Sequence, residues 1–422
     1  MSILLRIAIR NVIRNRRRTS YTLLALTMSV AIILLLHGYA TGLARSVVSE
    51  LVDVDTGALS IYRAGYHKNV LLNPTDLTFE DLSNTRSKIL AVNEVLSLSP
   101  RLSYFGILSP PENGEQTLES FFVQVRGMEP DLEVQTLPLL TSKITEGTVP
   151  RAKGEALVNS AFLESSKTTQ LVSHPWQQSE AEEKKPALIV GKADGGTGGI
   201  VIGLTGHLGT ASGTKSRQVL LRLQDAQEAL AAPHQITEYA VSVKNLDNIN
   251  KIQTNLQLAL GENFEVLRWD ELSPTTKEML SNQTFVLSLV ELIFVAVVIA
   301  SLFNTMQMTI RERTREVGTL LSVGIRPSTI VMAFSLEGAF LGMSGALGGT
   351  IVGIALVALL NKVGIPATMP SLGEAKIMIR PVFAPASTLW LFAVIAVSSV
   401  ICTLFPAIAS SRMKPTDALR SI

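Results

Sequence analysis

The sequence predicts an α-helical membrane protein with four transmembrane helices and a large α+β domain, on the outer side of the membrane, inserted between the first and second spans. Three observations carry this. Of 422 residues, 47% are apolar and only 17% charged, and the mean hydropathy is +0.32, above the range of most soluble domains. The apolar excess collects in four stretches that are nearly free of charge. Finally, the net charge of +2 conceals an asymmetry: residues 45–282 carry 21 Lys+Arg and 29 Asp+Glu, and the remainder 16 and 6. A mildly acidic domain is set into a basic membrane framework, with the positive charge beside the spans, so a nucleic-acid-binding surface is excluded as the reason for it.

The first span covers 19–44 and holds no Asp, Glu, Lys or Arg, enough for the ~20 residues that cross a bilayer core. A cleaved signal peptide would have a shorter apolar core and a small-residue cleavage site, and Gly38-Tyr39-Ala40 makes a poor one. The second span, 283–310, is interrupted only by Glu291, and the third, 328–361, only by Glu337. The fourth, 382–411, holds no charge.

Basic residues at span ends stay in the cytoplasm. Arg6, Arg10, Arg14, Arg16, Arg17 and Arg18 precede the first span without an acid among them, which places the N-terminus inside. Arg311, Arg313, Arg315 and Arg326 in the loop 311–327, and Arg412, Lys414 and Arg420 in the tail 412–422, agree. Residues 45–282 and a shorter segment, 362–381, then lie outside. Residues 1–18 read as an amphipathic cytoplasmic helix at the interface: Arg6, Arg10, Arg14 and Arg17 fall on one side, and Leu4, Leu5, Ala8, Ile9 and Val12 on the other.

In the third span Gly338 and Gly342 form one row, and Gly345, Gly349 and Gly353 another. Small residues four apart let helix backbones approach closely, so this helix is expected to pack within a bundle or across a dimer. Glu291 and Glu337, costly inside a span, are candidates for function.

In 45–282, strand-like runs at Leu59–Tyr62, Phe121–Val125, Val219–Leu223 and Tyr239–Val243 alternate with helical stretches at 79–92 and 247–260. The rhythm suggests small sheets covered by helices. Residues 173–215, Glu/Lys-rich and then Gly-rich, read as an atypical insertion. Their Gly209-Thr-Ala-Ser-Gly213-Thr-Lys-Ser216 misses the phosphate-loop spacing by one residue. The chain thus lacks a nucleotide-binding motif, and no enzyme activity is expected of it. His37, His67, His174, His207 and His234 form no metal-ligand pattern, and no nucleophile–base signature occurs. The single cysteine, Cys402, excludes an intrachain disulfide and a Cys-based zinc site.

One span, a large outer domain, then three spans with a basic turn resembles the permease subunits of ABC transporters of the MacB, FtsX and lipoprotein-release (LolC/LolE-like) family. The turn Arg311-Glu-Arg-Thr-Arg-Glu-Val-Gly-Thr-Leu-Leu-Ser-Val-Gly-Ile-Arg-Pro327, the following Ser335-Leu-Glu-Gly-Ala-Phe-Leu-Gly342 and the ending Lys414-Pro-Thr-Asp-Ala-Leu-Arg420 carry the resemblance. Gly57–Tyr66, Val125–Pro130 and Phe264–Pro274 look more like the lipoprotein-release branch than the macrolide branch.

The resemblance implies a bacterial inner-membrane location, with 45–282 a periplasmic MacB-like core domain and stalk. It implies a cytoplasmic ABC ATPase in two copies, binding the ATP and Mg that this chain does not, and a second permease copy or paralogue. The ATPase would dock on a coupling helix carrying Glu316, Val317, Gly318, Leu320, Leu321, Gly324 and Arg326, with Val317, Leu320 and Leu321 as its apolar contact. Hydrolysis would reshape the periplasmic domain by mechanotransmission. A cavity between the first and second spans of a permease dimer, lined by Leu35, Leu36, Tyr39, Leu287, Val290 and Glu291, would receive the acyl chains of a lipoprotein or another amphipathic substrate. Two alternatives stay open: export of a drug, peptide or toxin through a periplasmic adaptor, and FtsX-like signalling to a cell-wall hydrolase.

Overall fold

The structure is a computed structural model that describes residues 16–72, 74–109, 120–159, 162, 185–191, 196–209, 217–369 and 375–411. The interfacial helix expected at 1–18, save its last three residues, and the tail 412–422 lie outside the described residues. The helices are α1 (Arg16–Leu51), α2 (Ser83–Leu90), α3 (Pro130–Thr136), α4 (Leu140–Lys143), α5 (Leu223–Leu230), α6 (Ile249–Leu260), α7 (Trp269–Leu272), α8 (Pro274–Glu312), α9 (Thr314–Ser322), α10 (Pro327–Val363) and α11 (Pro385–Ser411). Four of them, α1, α8, α10 and α11, are long and apolar enough to cross a membrane. The chain divides into two units. One holds most of these four helices, and the other holds 47–277 with 367–377.

In the helical unit, apolar residues at i, i+4 spacing meet. Leu26, Val30 and Leu34 of α1, Val298, Leu302 and Met306 of α8, Leu341 and Ala346 of α10 and Ile395 of α11 form one buried cluster. Between lipid-solvated helices burial supplies little driving force, so close backbone approach has to. The two glycine rows of α10 supply it on two faces. A Cβ on Gly338 would stand 2.0 Å from Thr403 Cγ2, and one on Gly342 2.3 Å from Ser399 Cβ, so this row receives α11. Cβ atoms on Gly345, Gly349 and Gly353 would stand 2.6 Å from Leu26, 2.5 Å from Val30 and 2.9 Å from Leu34, so the other row receives α1. Both rows are filled within one chain. Gly38 and Gly42 of α1 make a further close approach, to the chain at 380–382: Val382 N–H donates to Gly38 O at 3.0 Å, and a Cβ on Gly42 would stand 2.3 Å from Arg380 O.

The other unit is built on β1 (Leu59–Arg63), β2 (Phe79–Glu80), β3 (Val95–Ser109), β4 (Phe121–Met128), β5 (Ile144–Glu146), β6 (Glu155–Asn159), β7 (Ala187–Gly191), β8 (Thr197–Val201), β9 (Gly203–Leu208), β10 (Gln218–Arg222), β11 (Gln235–Ile236), β12 (Glu238–Val243) and β13 (Phe264–Arg268). Among the described residues eleven strands form one mixed sheet, ordered β13-β1-β12-β3-β4-β10-β6-β9-β5, with β7 paired to β3 and β8 to β7, larger than the small sheets expected, while β2 and β11 form a separate two-stranded sheet. The 15 residues of β3 explain the difference. Its first half pairs with β12, its second half with β4 and its last three residues with β7, so one strand joins what would otherwise be separate sheets. The described residues of 173–215 belong to this sheet as β7, β8 and β9 and form no separate subdomain. Helix 79–92 is shorter than expected, because Phe79–Glu80 pairs with β11 before α2 begins.

Alternation along β4 puts Phe121, Val123 and Val125 inside and Phe122 outside. The inner residues join Tyr104, Val219, Leu221, Ala226 and Ile252 in the core, each large one contributing about 1.5–3 kcal/mol by leaving water. A buried charge cluster lies beside that core. Arg101 Nε donates to Glu133 at 2.9 Å and Nη1 to Glu238 at 3.4 Å, the Tyr62 hydroxyl donates to Glu238, and Arg126 pairs with Asp55 at 2.5 Å. Burial opposes the Arg101 charge, but Glu133 and Glu238 outweigh it and hold its pKa above the ordinary value. Asp55 sits in the π-helical turn Val52–Thr56 that follows α1.

Candidate functional site: the turn between the second and third helices

The segment from Arg311 to Pro327 combines apolar and charged residues in an order that dictates its shape. Helix α8 ends at Glu312, Arg313 breaks the helical geometry, and α9 begins at Thr314. The nine residues of α9 stop in a Schellman turn: Gly324 N–H donates to Leu321 O and Ile325 N–H to Leu320 O, both at 3.1 Å. That turn requires a left-handed residue, and Gly324 has φ +91°. Pro327 then starts α10 at a position where a missing N–H costs nothing.

Amphipathic α9 turns Val317 and Gly318 inward. Val317 packs with Ile310, Ile330, Phe334 and Ala407, and Leu321 and Ile325 lie half-buried against them. Leu320 is 43% exposed and Val323 79%; Glu316, Gly324 and Arg326 are exposed. The apolar surface offered outward here is thus Leu320 of α9 and Val323 at its C-cap. Val317, read from the sequence as part of that surface, is instead committed to the chain's own helices.

Glu337 is buried at the other side of this turn. Its Oε2 accepts from Arg313 Nη1 at 3.1 Å, with the two side chains 6% and 10% exposed, while Arg313 Nε lies 3.9 Å from Glu316. The costly acid inside the third span is thereby matched to the arginine at the start of α9. The pair fixes the entry of α9 against α10 and sits at the wall of a cavity of about 240 Å³ that Leu320, Ile325 and Phe334 also line.

Glu291 has a partner that sequence reasoning missed: His37 Nδ1 lies 3.2 Å from its Oε1. Thr22 and Thr305 touch through their hydroxyls at 3.2 Å nearer the other end of the same helices. The two contacts tie α1 antiparallel to α8. Leu35, Leu36, Tyr39, Leu287, Val290 and Glu291 are half-buried on these two helices, and the His37–Glu291 contact bridges them.

Residues 288–415 match the FtsX-like permease C-terminal family, a stretch that takes in most of α8 and all of α9, α10 and α11. These residues form an FtsX-like permease domain. An uncharacterized ABC transporter permease of Methanocaldococcus jannaschii is 26% identical over 229 residues, covering 52% of the present chain and 54% of the relative. The pyoverdine export ATP-binding/permease protein PvdT of Pseudomonas fluorescens is 23% identical over 417 residues, covering 96% of the present chain and 57% of PvdT. The chain thus spans little more than half the length of these curated relatives. Among solved structures, the periplasmic region of MacB from Actinobacillus actinomycetemcomitans aligns at 11% identity and a TM-score of 0.33, covering 54% of the present chain and 94% of the MacB region.

Proposed function

We propose that the chain is the permease subunit of an inner-membrane ABC transporter of the MacB/FtsX type, driven by a separate cytoplasmic ATPase that docks on α9. The observation that carries this reading is the family match over 288–415, which includes a turn whose short helix is braced by a buried ion pair. A force applied to α9 would pass directly into α8 and α10 through the Arg313–Glu337 ion pair and the packed Val317 cluster. The N- and C-termini and α9 are then cytoplasmic, and the sheet domain lies in the periplasm, where it does the mechanical work. ATP and Mg belong to the ATPase subunits, two per assembly, and a second permease copy or a paralogue completes it.

Release or extraction of a lipoprotein, or movement of another amphipathic molecule, is the activity that fits best. Acyl chains need an apolar route, and the half-buried residues of α1 and α8 near His37 and Glu291 offer one beside a polar point for a headgroup. Reconstituting the permease with its ATPase in nanodiscs and adding either a triacylated lipoprotein or the same protein without its acyl chains tests the reading. Stimulation of ATP hydrolysis that requires the acyl chains is expected. Equal stimulation by both forms would favour a protein-recognising exporter or a signalling role instead.

A further inference from the structure

In the sheet domain, β4 and β10 are parallel neighbours with Met128 opposite Arg222, and each leads into a helix, α3 and α5. The two helices leave on opposite faces of the sheet. Ala226 and Leu230 of α5 join the cluster that holds Val219 and Leu221, whereas Val134 of α3 packs on the cluster that holds Leu220, and successive residues of a strand face opposite ways. Parallel strands whose helices part in this way leave a crevice beyond their carboxyl ends, the place where open α/β sheets bind ligands. A cavity of about 440 Å³ lies there, lined from Met128 to Asp131 on one side and from Arg222 to Gln224 on the other, and small-molecule sites span ~300–1,000 Å³.

The lining selects the ligand. Arg86, Arg151 and Arg222 share it with Asp81, Glu129 and Asp131, so a lone anion or cation meets as much repulsion as attraction, while a ligand that carries both signs can match both. Part of the wall is already committed: Arg86 Nε donates to Asp81 at 2.7 Å, its Nη2 donates to Asp81 and, at 3.1 Å, to Glu129, and the Tyr239 hydroxyl donates to Asp81 at 2.6 Å. The Asp131–Arg151 bridge is not. It is 2.9 Å long, but its side chains are 75% and 68% exposed, so water competes for both charges and the bridge is weak. Arg222 Nη1 reaches Arg151 O at 3.5 Å and Nη2 donates to Asp225 at 2.7 Å. Its Nε is buried and has no hydrogen-bond partner among the described residues, a donor in want of an acceptor. We infer that this crevice binds a short zwitterionic peptide in exchange for the Asp131–Arg151 bridge. The peptide's carboxylate goes to Arg151 and Arg222, and its ammonium to Asp131 and Glu129. The ligand thus joins the start of α3 to the start of α5, and it does so in the sheet domain, apart from the membrane helices.

The test mixes the full-length chain in nanodiscs with an equimolar pool of Ala-Xaa and Xaa-Ala dipeptides and identifies by native mass spectrometry what is retained. Calorimetry then compares the retained dipeptide with its N-acetyl and C-amide forms. Retention with a Kd of about 1 mM or tighter is expected, and a loss of about tenfold on blocking either end. Arg151→Gln should weaken the free dipeptide about tenfold and leave the C-amide form within about twofold of wild type. Asp131→Asn should weaken the free dipeptide by a similar factor and spare the N-acetyl form. Both residues are exposed, so neither variant endangers the fold. Lys153→Gln, an exposed base outside the lining, should change nothing. Retention of no dipeptide, or equal effects of Arg151→Gln and Lys153→Gln, would overturn the site. Inorganic phosphate competing as strongly as the free dipeptide would show an anion site and overturn the zwitterion. Each of these failures leaves the permease reading intact, because no ATPase enters the measurement.

Discussion

Removing the Glu337 carboxylate leaves the buried Arg313 guanidinium with only the exposed Glu316 carboxylate, 3.9 Å from its Nε. The two side chains are 6% and 10% exposed and 3.1 Å apart, so little solvent is at hand to replace the lost partner. Breaking such a pair costs about 3–5 kcal/mol, whereas replacing both members with apolar groups of similar size is often neutral or stabilising. At about 2–4 °C per kcal/mol for a unit of 150–250 residues, a loss of about 3 kcal/mol lowers the melting midpoint of Glu337→Ala by about 6–12 °C. Arg313→Met with Glu337→Leu should recover most of that loss. The assay is thermal unfolding of the purified permease in nanodiscs for wild type, both single variants and the double variant. Two further readouts separate stability from coupling: retention of the ATPase and its substrate-stimulated rate. The double variant should melt near wild type yet couple poorly, since the apolar pair holds α9 without fixing its direction. Additive losses, or a Glu337→Ala midpoint within about 1 °C of wild type, would refute the bracing role of the pair.

Gly349→Ala places a methyl 2.5 Å from Val30 Cβ and should cost about 1–3 kcal/mol by overpacking, seen as a lower melting midpoint that exposed Leu347→Ala does not show. In the sheet domain, Arg101→Ala strands Glu133 and Glu238 and should cost about 3 kcal/mol or more, read as faster hydrogen exchange in β3 and β12. Acid should also loosen this domain. Burial alone would raise the Asp81 pKa, but hydrogen bonds from Arg86 and Tyr239 outweigh it and hold it below the ordinary value. Ionised Asp81 therefore stabilises the fold at pH values above about 3.9, its usual unfolded pKa, and that contribution disappears as pH falls through the lower folded value. Asp81→Asn should make the acid transition shallower, as followed by exchange in β12.

Much of this architecture was legible in residue patterns, and the rest depended on distant partners. The four apolar runs announce themselves because a bilayer demands about 20 uncharged residues in succession. The two glycine rows of α10 were equally plain. That one row takes α11 and the other α1 depends on which helices arrive, and no local pattern encodes it. Glu337 stood out as an acid in a span, but Arg313, 24 residues earlier, looked like one more topology-setting arginine. A signal did exist: an intramembrane acid calls for a cation within reach, and α9 is short enough to bring its first turn back to α10. His37 and Glu291 lie 254 positions apart, beyond any such local rule. Val317 shows the limit of reading an amphipathic helix alone, since the periodicity finds its apolar side without saying which part the chain itself consumes. The sheet was underestimated for a related reason. Short runs reveal strands, whereas register and strand length, above all in β3, decide how many strands join one sheet.

The central claim is that α9 is the seat of an ATP-hydrolysing partner. The most direct test is gentle isolation of the permease from its native membrane, followed by mass spectrometry of the intact complex. Two copies of an ABC ATPase retained with two permease chains, and lost on Leu320→Asp, is the predicted result. A permease recovered without any ABC ATPase would contradict it.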